Sequence, residues 1–571
     1  MKRKLGDFLR DSTQSPSFYT RYASTSPSHR AKAAKMATDI KLELSDKEQQ
    51  LRGLLLDVAR SIDESAAGQG PAEPVTLRWA GGWVRDRLLG IESHDIDVAI
   101  NSMTGIHFAQ HMRDYCETPE AKAKHSINDK DVGNLHHVAS NPEKSKHLET
   151  AMVRMFGLDL DFVNLRKETY TDQSRNPQME FGTAEEDALR RDATINALFY
   201  NLNKDIVEDF TGGVPDMAAK LIKTPLEPLQ TFTDDPLRIL RLVRFASRLQ
   251  FSIDPETEKF MGDSKVLEAL RVKISRERVG IELEKMLQGK HPAQALRFIN
   301  RLGLYRAIFS DPDQEPPELT LLPRWAVAYE CLDSLIKQQT PQSIADLLIR
   351  TDDAAYIAWN LAAMAPWMLI QDPPNVTRKA SQPPPVGAIA RNGFRAPNRL
   401  VDVISAAHRH REEILKLKLA VKAGEAWVKE RDTVGMMIRR WDHFGSWKLQ
   451  VLSALLVDAM EQLEEWKEQS TKEQDDFLRD WQNLLDHLVE LDVVDAPNIK
   501  RLVDGRALSK ALGIKPGFGP GKPWMSAWDG SYGTPMRQIL PELLRRYGRR
   551  RMSWGFPSKI QWLVMGMENN S

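Results

Sequence analysis

Apolar and polar positions along this chain change rhythm once, near Asp209. From Ser45 to about Lys204, runs that alternate at period two interleave with runs spaced by three and four. Such a text predicts a mixed α/β unit. Val75 to Ala80 reads as a strand, Gly81-Gly82 as a tight turn, and Trp83 to Leu89 as a short helix that Gly90 stops. His94 to Ile100 and Leu158 to Leu165 read as further strands, and Tyr170 to Glu185, with its Ser, Asn, Pro and Gly, as a mobile loop. Beyond Asp209 the helical rhythm prevails. Pro236 to Leu249, Ser275 to Leu287, Ala293 to Leu304 and Glu461 to Leu491 carry apolar residues at three and four spacing. The stretch Gln371 to Asn398 predicts a long surface connection, Gly517 to Lys522 a loop, and Met536 to Tyr547 a helix. The predicted fold class is α+β: a head with a mixed β-sheet over 46–208, then helical segments over 209–290, 291–420 and 421–571. Residues 1–45 are expected to be disordered or to serve as a targeting segment.

Composition narrows the possibilities. The 571 residues exceed a single simple core and balance 79 Lys and Arg against 79 Asp and Glu, so any grip on a polyanion must be a local patch. The densest patch is Arg549, Arg550 and Arg551. With only Cys116 and Cys331 there is no disulfide framework and no zinc-finger spacing. No apolar stretch approaches a membrane span, so a soluble protein without a membrane partner is expected. The first 35 residues are rich in Ser, Thr, Lys and Arg with only Asp7 and Asp11 as acids, which resembles an organellar transit peptide. Met36 offers a second start. Two forms are therefore expected, mitochondrial from Met1 and cytosolic or nuclear from Met36; the alternative is a basic tail without an address.

The candidate chemistry lies in residues 81–97. Glycines at a strand-to-helix turn let phosphates approach backbone N–H groups at a helix N-terminus. Asp95 and Asp97, two apart on a strand, project from one face while Ile96 and Val98 take the other. Two acids on one face suit Mg²⁺, which binds a few carboxylates and leaves room for substrate phosphates. The strand at Leu158 offers a third acid, Asp161, placed to orient metal or to accept a proton from an attacking hydroxyl. Together these features indicate nucleotidyl transfer.

With Arg85 and Asp86, the Gly81-Gly82 and Asp95-x-Asp97 elements resemble the first motif of class II tRNA nucleotidyltransferases, the CCA-adding enzymes, in a eukaryotic, fungal-like form. Further elements are similar to family motifs in the family's order. They are Arg190-Arg191-Asp192 with Asn196, Asp209-Phe210-Thr211-Gly212-Gly213, Asp234-Asp235 with Arg238, and Ile274-Ser275-Arg276-Glu277-Arg278 with Glu282 and Lys285. The resemblance covers roughly residues 75 to 290. Asp234 stands where bacterial members commonly carry Glu. The resemblance implies a catalytic head over 46–208, a neck with a base-recognition motif over 209–290, a body over 291–420 and a tRNA-binding tail over 421–571.

It also implies roles. Asp95 and Asp97 would hold metal, Gly81, Gly82, Arg85, Arg190 and Arg191 would cradle phosphates, and Asp192 and Asn196 would position the nucleotide. Asp235 and Arg238, three apart on an expected helix, would read the base. Physical chemistry supports two of these independently. Arginine forms bidentate bonds to phosphate oxygens. An ionised Asp accepts and an Arg donates, which matches the amine and ring nitrogen shared by cytosine and adenine and leaves unpaired groups against uracil or guanine. The expected activity is template-independent addition of C, C and A to tRNA 3′ ends from CTP and ATP, by two-metal catalysis with release of pyrophosphate. A poly(A) polymerase of the same superfamily and a non-catalytic RNA-binding protein with a degenerate head are the rival readings. The family further implies that the 170–185 segment switches the pocket from C to A. Removing residues 172–182 is expected to leave addition of two C residues and block the terminal A, and normal A addition by that variant would refute the assignment.

Overall fold

The computed structural model describes residues 40–499, apart from 67–72, 129, 139–149, 172–173, 316, 373–381 and 443–445. The expected transit segment, the 536–547 helix and the Arg549 to Arg551 cluster lie outside the described residues. The chain divides into two compact units between Ile308 and Phe309.

The first unit is built on a seven-stranded mixed sheet of order β3-β4-β5-β2-β1-β8-β9. Its strands are β1 (Leu77–Ala80), β2 (Asp95–Ile100), β3 (His136–Val138), β4 (Thr150–Met155), β5 (Leu158–Asn164), β8 (Leu198–Asn201) and β9 (Ile206–Asp209). Among the described residues of this sheet only the β2 and β5 pair is parallel. Period-two alternation explains both central strands: Ile96 and Val98 are buried while Asp95 and Asp97 face out, and Leu158, Leu160 and Phe162 are buried while Asp159 faces out. The Asp46–Ala66 helix turns Leu51, Leu54, Leu55 and Val58 inward at helical spacing. The Gly105–Glu117 helix starts so close to β5 that a Cβ on Gly105 would stand 2.1 Å from the Phe162 carbonyl oxygen. A side chain there would push the helix off the sheet.

The 170–185 segment corrects the loop expectation. Here β6 (Arg166–Thr171) and β7 (Ser174–Phe181) form an antiparallel hairpin with Arg166 opposite Phe181 and an irregularity between Thr169 and Thr171. Threonine favours strands, while the polar composition conceals an alternation that no apolar pattern in the sequence marks.

At the head's end, the Asp209 carboxylate accepts the backbone N–H groups of Thr211, Gly212, Gly213 and Val214 at 2.8 to 3.1 Å. Gly212 takes φ 81°, in the left-handed region that favours glycine. The chain then enters the Arg238–Leu249 helix, which packs on the Arg276–Leu287 and Pro292–Arg301 helices.

The second unit is helical in its described residues. The Trp447–Gln462 helix runs buried through it, and its polar residues are partnered inside: Asp458 accepts from Lys418 at 2.7 Å and from the Trp481 indole at 3.0 Å. Two expectations are corrected here. The run from Glu461 to Leu491 is interrupted, because Thr471 starts a new helix (Lys472–Glu490) with a capping box in which Thr471 and Gln474 bond reciprocally. Within the expected connection from Gln371 to Asn398, Pro385–Phe394 forms a helix whose Val386, Ile389, Ala390 and Phe394 are buried. Proline is favoured in the first helical turn, so the Pro-rich text marked a start as well as a linker.

Candidate active site

Strand register assembles the acidic part of the site. Ala80 lies opposite Asp97, and Asp97 lies opposite Asp161. Because the Gly81-Gly82 turn follows Ala80 directly, the turn and the two acids occupy neighbouring positions at one end of the sheet. Asp95 and Asp159 form the adjoining pair. Asp161 is the acid in register with Asp97, and Asp159 is the more exposed one, with Arg154 3.7 Å away.

The carboxylates repel one another. Asp97 is reachable by solvent but hemmed in by protein; this desolvation raises its pKa, the Arg191 charge opposes the rise, and the Asp95 charge adds to it. Desolvation first, then the charges of Asp97, Asp95 and Asp159, push Asp161 up to about 6. A bound cation would relieve this repulsion. Among the described residues no three Asp, Glu, His or Cys side chains are gathered closely enough to hold a metal unaided. Two carboxylates on one face with space for phosphate oxygens fit a hard divalent cation, which takes its remaining ligands from water and substrate.

The phosphate side of the site is built around Gly81. Its φ of 66° lies in the left-handed region, and a Cβ there would stand 2.6 Å from Arg191 Nη1. Glycine therefore lets the guanidinium lie against the turn. Arg191 also donates Nη1 to the Asn196 carbonyl at 3.0 Å and lies 5.0 Å from the centre of the Phe199 ring. Arg190 and Arg191 both donate to Asp187, a carboxylate in the Ala184–Leu189 helix. Arg85 differs from the expected phosphate ligand: it is buried, donating Nε to Asp86 at 2.8 Å and Nη1 to the Asn196 side chain. Its fork is thus engaged inward, where it fixes Asn196.

Asp192 and Asn196 are brought together, with the Asn196 amide donating to Asp192 at 3.0 Å. Arg241 donates to the other Asp192 oxygen at 2.5 Å. Burial alone would raise the Asp192 pKa, but the Arg241 charge and the Asn196 and Arg241 hydrogen bonds hold it far below the usual carboxylate range.

Asp235 and Arg238 require a correction. They do not share a helix: Asp235 sits in extended backbone after the Pro228–Asp234 helix, and Arg238 opens the next one. The Asp235 carboxylate accepts the Leu237 N–H at 3.1 Å and the Arg278 guanidinium at 3.0 Å, while Arg238 donates to the Arg190 carbonyl at 2.7 Å. The turn arises because Pro236 cannot donate the bond needed to continue the first helix and biases Asp235 towards extended backbone.

Sequence reasoning missed Asp187 and the partners of the neck arginines. Arg241, Arg244 and Arg248 recur along one helix at three and four spacing, and each finds an acid: Arg244 donates to Glu282 at 2.6 Å and Arg248 to Asp86 at 3.1 Å. For Asp187 a signal existed: an acid three and four residues before two arginines, in the last turn of a helix that the arginines follow, is placed to pair with both.

A mixed sheet carrying paired carboxylates beside a glycine turn and two arginines defines a nucleotidyltransferase. Residues 77–223 match the Poly A polymerase head domain, and 250–316 the family described as "Probable RNA and SrmB- binding site of polymerase A". The chain is 58% identical over 564 residues to Nucleotidyltransferase lcsQ of Purpureocillium lilacinum, covering 91% of this chain and 92% of that one. It is 34% identical over 495 residues to tRNA nucleotidyltransferase cca1 of Schizosaccharomyces pombe, covering 83% and 91%. Over 270 residues it is 51% identical to the mitochondrial CCA tRNA nucleotidyltransferase of Saccharomyces cerevisiae, covering 47% and 48%. In fold it is similar to a CCA-adding enzyme in its apo form II, with TM-score 0.56 at 17% identity, covering 94% of this chain and 98% of that one. The chain belongs to the eukaryotic class II tRNA nucleotidyltransferases, the CCA-adding family.

Proposed function

We propose that this protein adds C, C and A in turn to tRNA 3′ ends from CTP and ATP, releasing pyrophosphate at each step. The observation that carries the reading is the register that sets Asp97 beside Asp161 and next to the Gly81 turn, with Arg191 lying on that turn. Asp95 and Asp97 would hold Mg²⁺. Bound there, the ion supplies Lewis-acid stabilisation of charge developing on phosphate oxygens. The chain's own residues do the rest. Gly81 and Gly82 admit the phosphates close to the backbone, and Arg190 and Arg191 orient them. Asp192 and Asn196, held by Arg241 and Arg85, position the nucleotide. Asp161 stands where it can assist a metal or accept the proton of the primer hydroxyl.

Reading the base with protein groups removes any need for a nucleic-acid template. Asp235, now in a turn and shared with Arg278, remains the candidate acceptor for the amines of cytosine and adenine, and Arg238 the candidate donor. Replacing Asp235 by alanine is expected to admit UTP or GTP, cutting discrimination by about tenfold or more, the worth of one charge-assisted hydrogen bond. Misincorporation on a tRNA lacking its 3′ end measures this. A lower melting temperature with unchanged nucleotide choice would remove Asp235 from the reading.

Incubation of purified protein with a tRNA lacking CCA, Mg²⁺ and each nucleotide tests the whole proposal. Addition that stops after C, C and A supports it; open-ended extension with ATP alone would favour the poly(A) polymerase reading that the head-domain match keeps in play. A mitochondrial form from Met1 and a cytosolic or nuclear form from Met36 fit the basic leader and the mitochondrial name of the Saccharomyces cerevisiae relative. A fusion of residues 1–35 that never entered mitochondria would dismiss the first form. Contacts of Arg549 to Arg551 with tRNA phosphates remain part of the proposal on charge alone.

A further inference from the structure

One buried carboxylate joins three parts of the head that the reaction uses separately. Asp187 is 1% exposed. Its Oδ1 accepts Arg190 Nε at 2.9 Å, and its Oδ2 accepts Arg191 Nε at 3.1 Å. The same Oδ1 accepts the backbone N–H of Arg166 at 3.3 Å, and Arg166 is the first residue of the β6–β7 hairpin. The hairpin's other foot is fixed beside it: Gly182 donates its N–H to the Leu165 carbonyl at 3.1 Å, and a Cβ on Gly182 would stand 2.7 Å from the Arg166 carbonyl carbon and from the Lys167 nitrogen. Arg191 in turn lies on the Gly81 turn. Asp97 feels the charges of Arg191, Asp187 and Arg166, so this cluster adjoins the acidic pair.

We propose that Asp187 is a positioning residue that couples the foot of the β6–β7 hairpin to the two phosphate-orienting arginines, so that displacement of the hairpin is transmitted to the grip on the nucleotide triphosphate. The proposal rests on the nucleotidyltransferase reading above and names the joint within it. Two guanidiniums and a backbone N–H converge on one carboxylate, and no second acid bonds Arg191 among the described contacts. Asparagine at 187 keeps one acceptor but turns an amide donor towards one of the guanidiniums, which leaves donor facing donor.

Steady-state kinetics on full-length protein test this, with CTP on tRNA lacking CCA and ATP on tRNA ending in CC. Asp187→Asn is expected to raise KM for both nucleotides about tenfold, as for loss of one charge-assisted hydrogen bond, with kcat little changed. Asp187→Glu should recover most of the loss because the charge is retained. Gly182→Ala touches neither arginine, yet it must shift the Arg166 foot and is expected to raise KM in the same direction. The double variant Asp187→Asn with Gly182→Ala should show less than the product of the two effects. Unchanged KM in Gly182→Ala, a melting temperature lowered without any change in KM, or strictly multiplicative effects would overturn the coupling. Gly182→Ala keeps the question decidable if Asp187→Asn does not fold. Absence of CCA addition by the unaltered protein in the same assay would instead strike at the function itself.

Discussion

Alanine at Asp97 is expected to slow addition of every nucleotide about a thousandfold or more, since the several kcal/mol of charge stabilisation that a bound cation provides converts at one decade per 1.36 kcal/mol. The residue stands between Ala80 and Asp161 in strand register and faces out of the sheet among like and opposite charges, so removing its carboxylate relieves repulsion and leaves the fold little reason to suffer. tRNA affinity, read by filter binding or mobility shift, should stay close to that of the unaltered protein. The loss should be equal for CTP and ATP. A variant that kept a tenth of its activity, or that lost only one nucleotide, would show that chemistry is organised elsewhere.

The second large effect concerns stability. Asp192 is buried, accepts from Arg241 at 2.5 Å and from Asn196 at 3.0 Å, and ties the head to the Arg238–Leu249 helix. Removing one partner of a buried ion pair strands the other; Asp192→Ala is expected to cost about 3 kcal/mol, the lower end of the usual range because Arg241 is partly exposed. Urea denaturation of the full-length protein measures it. The pH dependence has a definite sign. A carboxyl whose folded pKa is depressed gives stability that is fully present above its unfolded pKa and is lost as pH falls towards the folded one. Stability carried by Asp192, and by Asp187 whose pKa Arg191 and Arg190 also hold below normal against the burial that would raise it, should therefore be intact at neutral pH and decline below the ordinary carboxylate range. Asp192→Asn should flatten that acid limb. An acid limb identical to that of the unaltered protein would show that Asp192 contributes nothing there.

The acidic strands were legible because their period is two and their buried partners are apolar: Asp95 and Asp97 with Ile96 and Val98, and Asp161 with Leu160 and Phe162. The helix stop at Gly90 was legible because its φ of 73° suits glycine. The hairpin at 166–181 was not, since the sequence of both strands is polar and no apolar alternation sets a pattern. The Asp235 turn differs from the helix that the spacing predicts, because an acid and an arginine three apart look the same whether or not a proline between them breaks the helix.

What sequence alone determined is local and periodic: two acids on one face of a strand, glycines where a turn needs them, arginines after a helix, and helical text beyond Asp209. Tertiary structure decided which charges meet. Arg241 finds Asp192 across 49 positions and Arg248 finds Asp86 across 162, and neither spacing leaves a trace in the order of residues. Hydrogen bonding and burial act through space, so a buried arginine takes whichever carboxylate the packed helices bring within about 3 Å. The same physics turned Arg85 inward to Asn196 and gathered Arg190, Arg191 and the hairpin's foot onto Asp187.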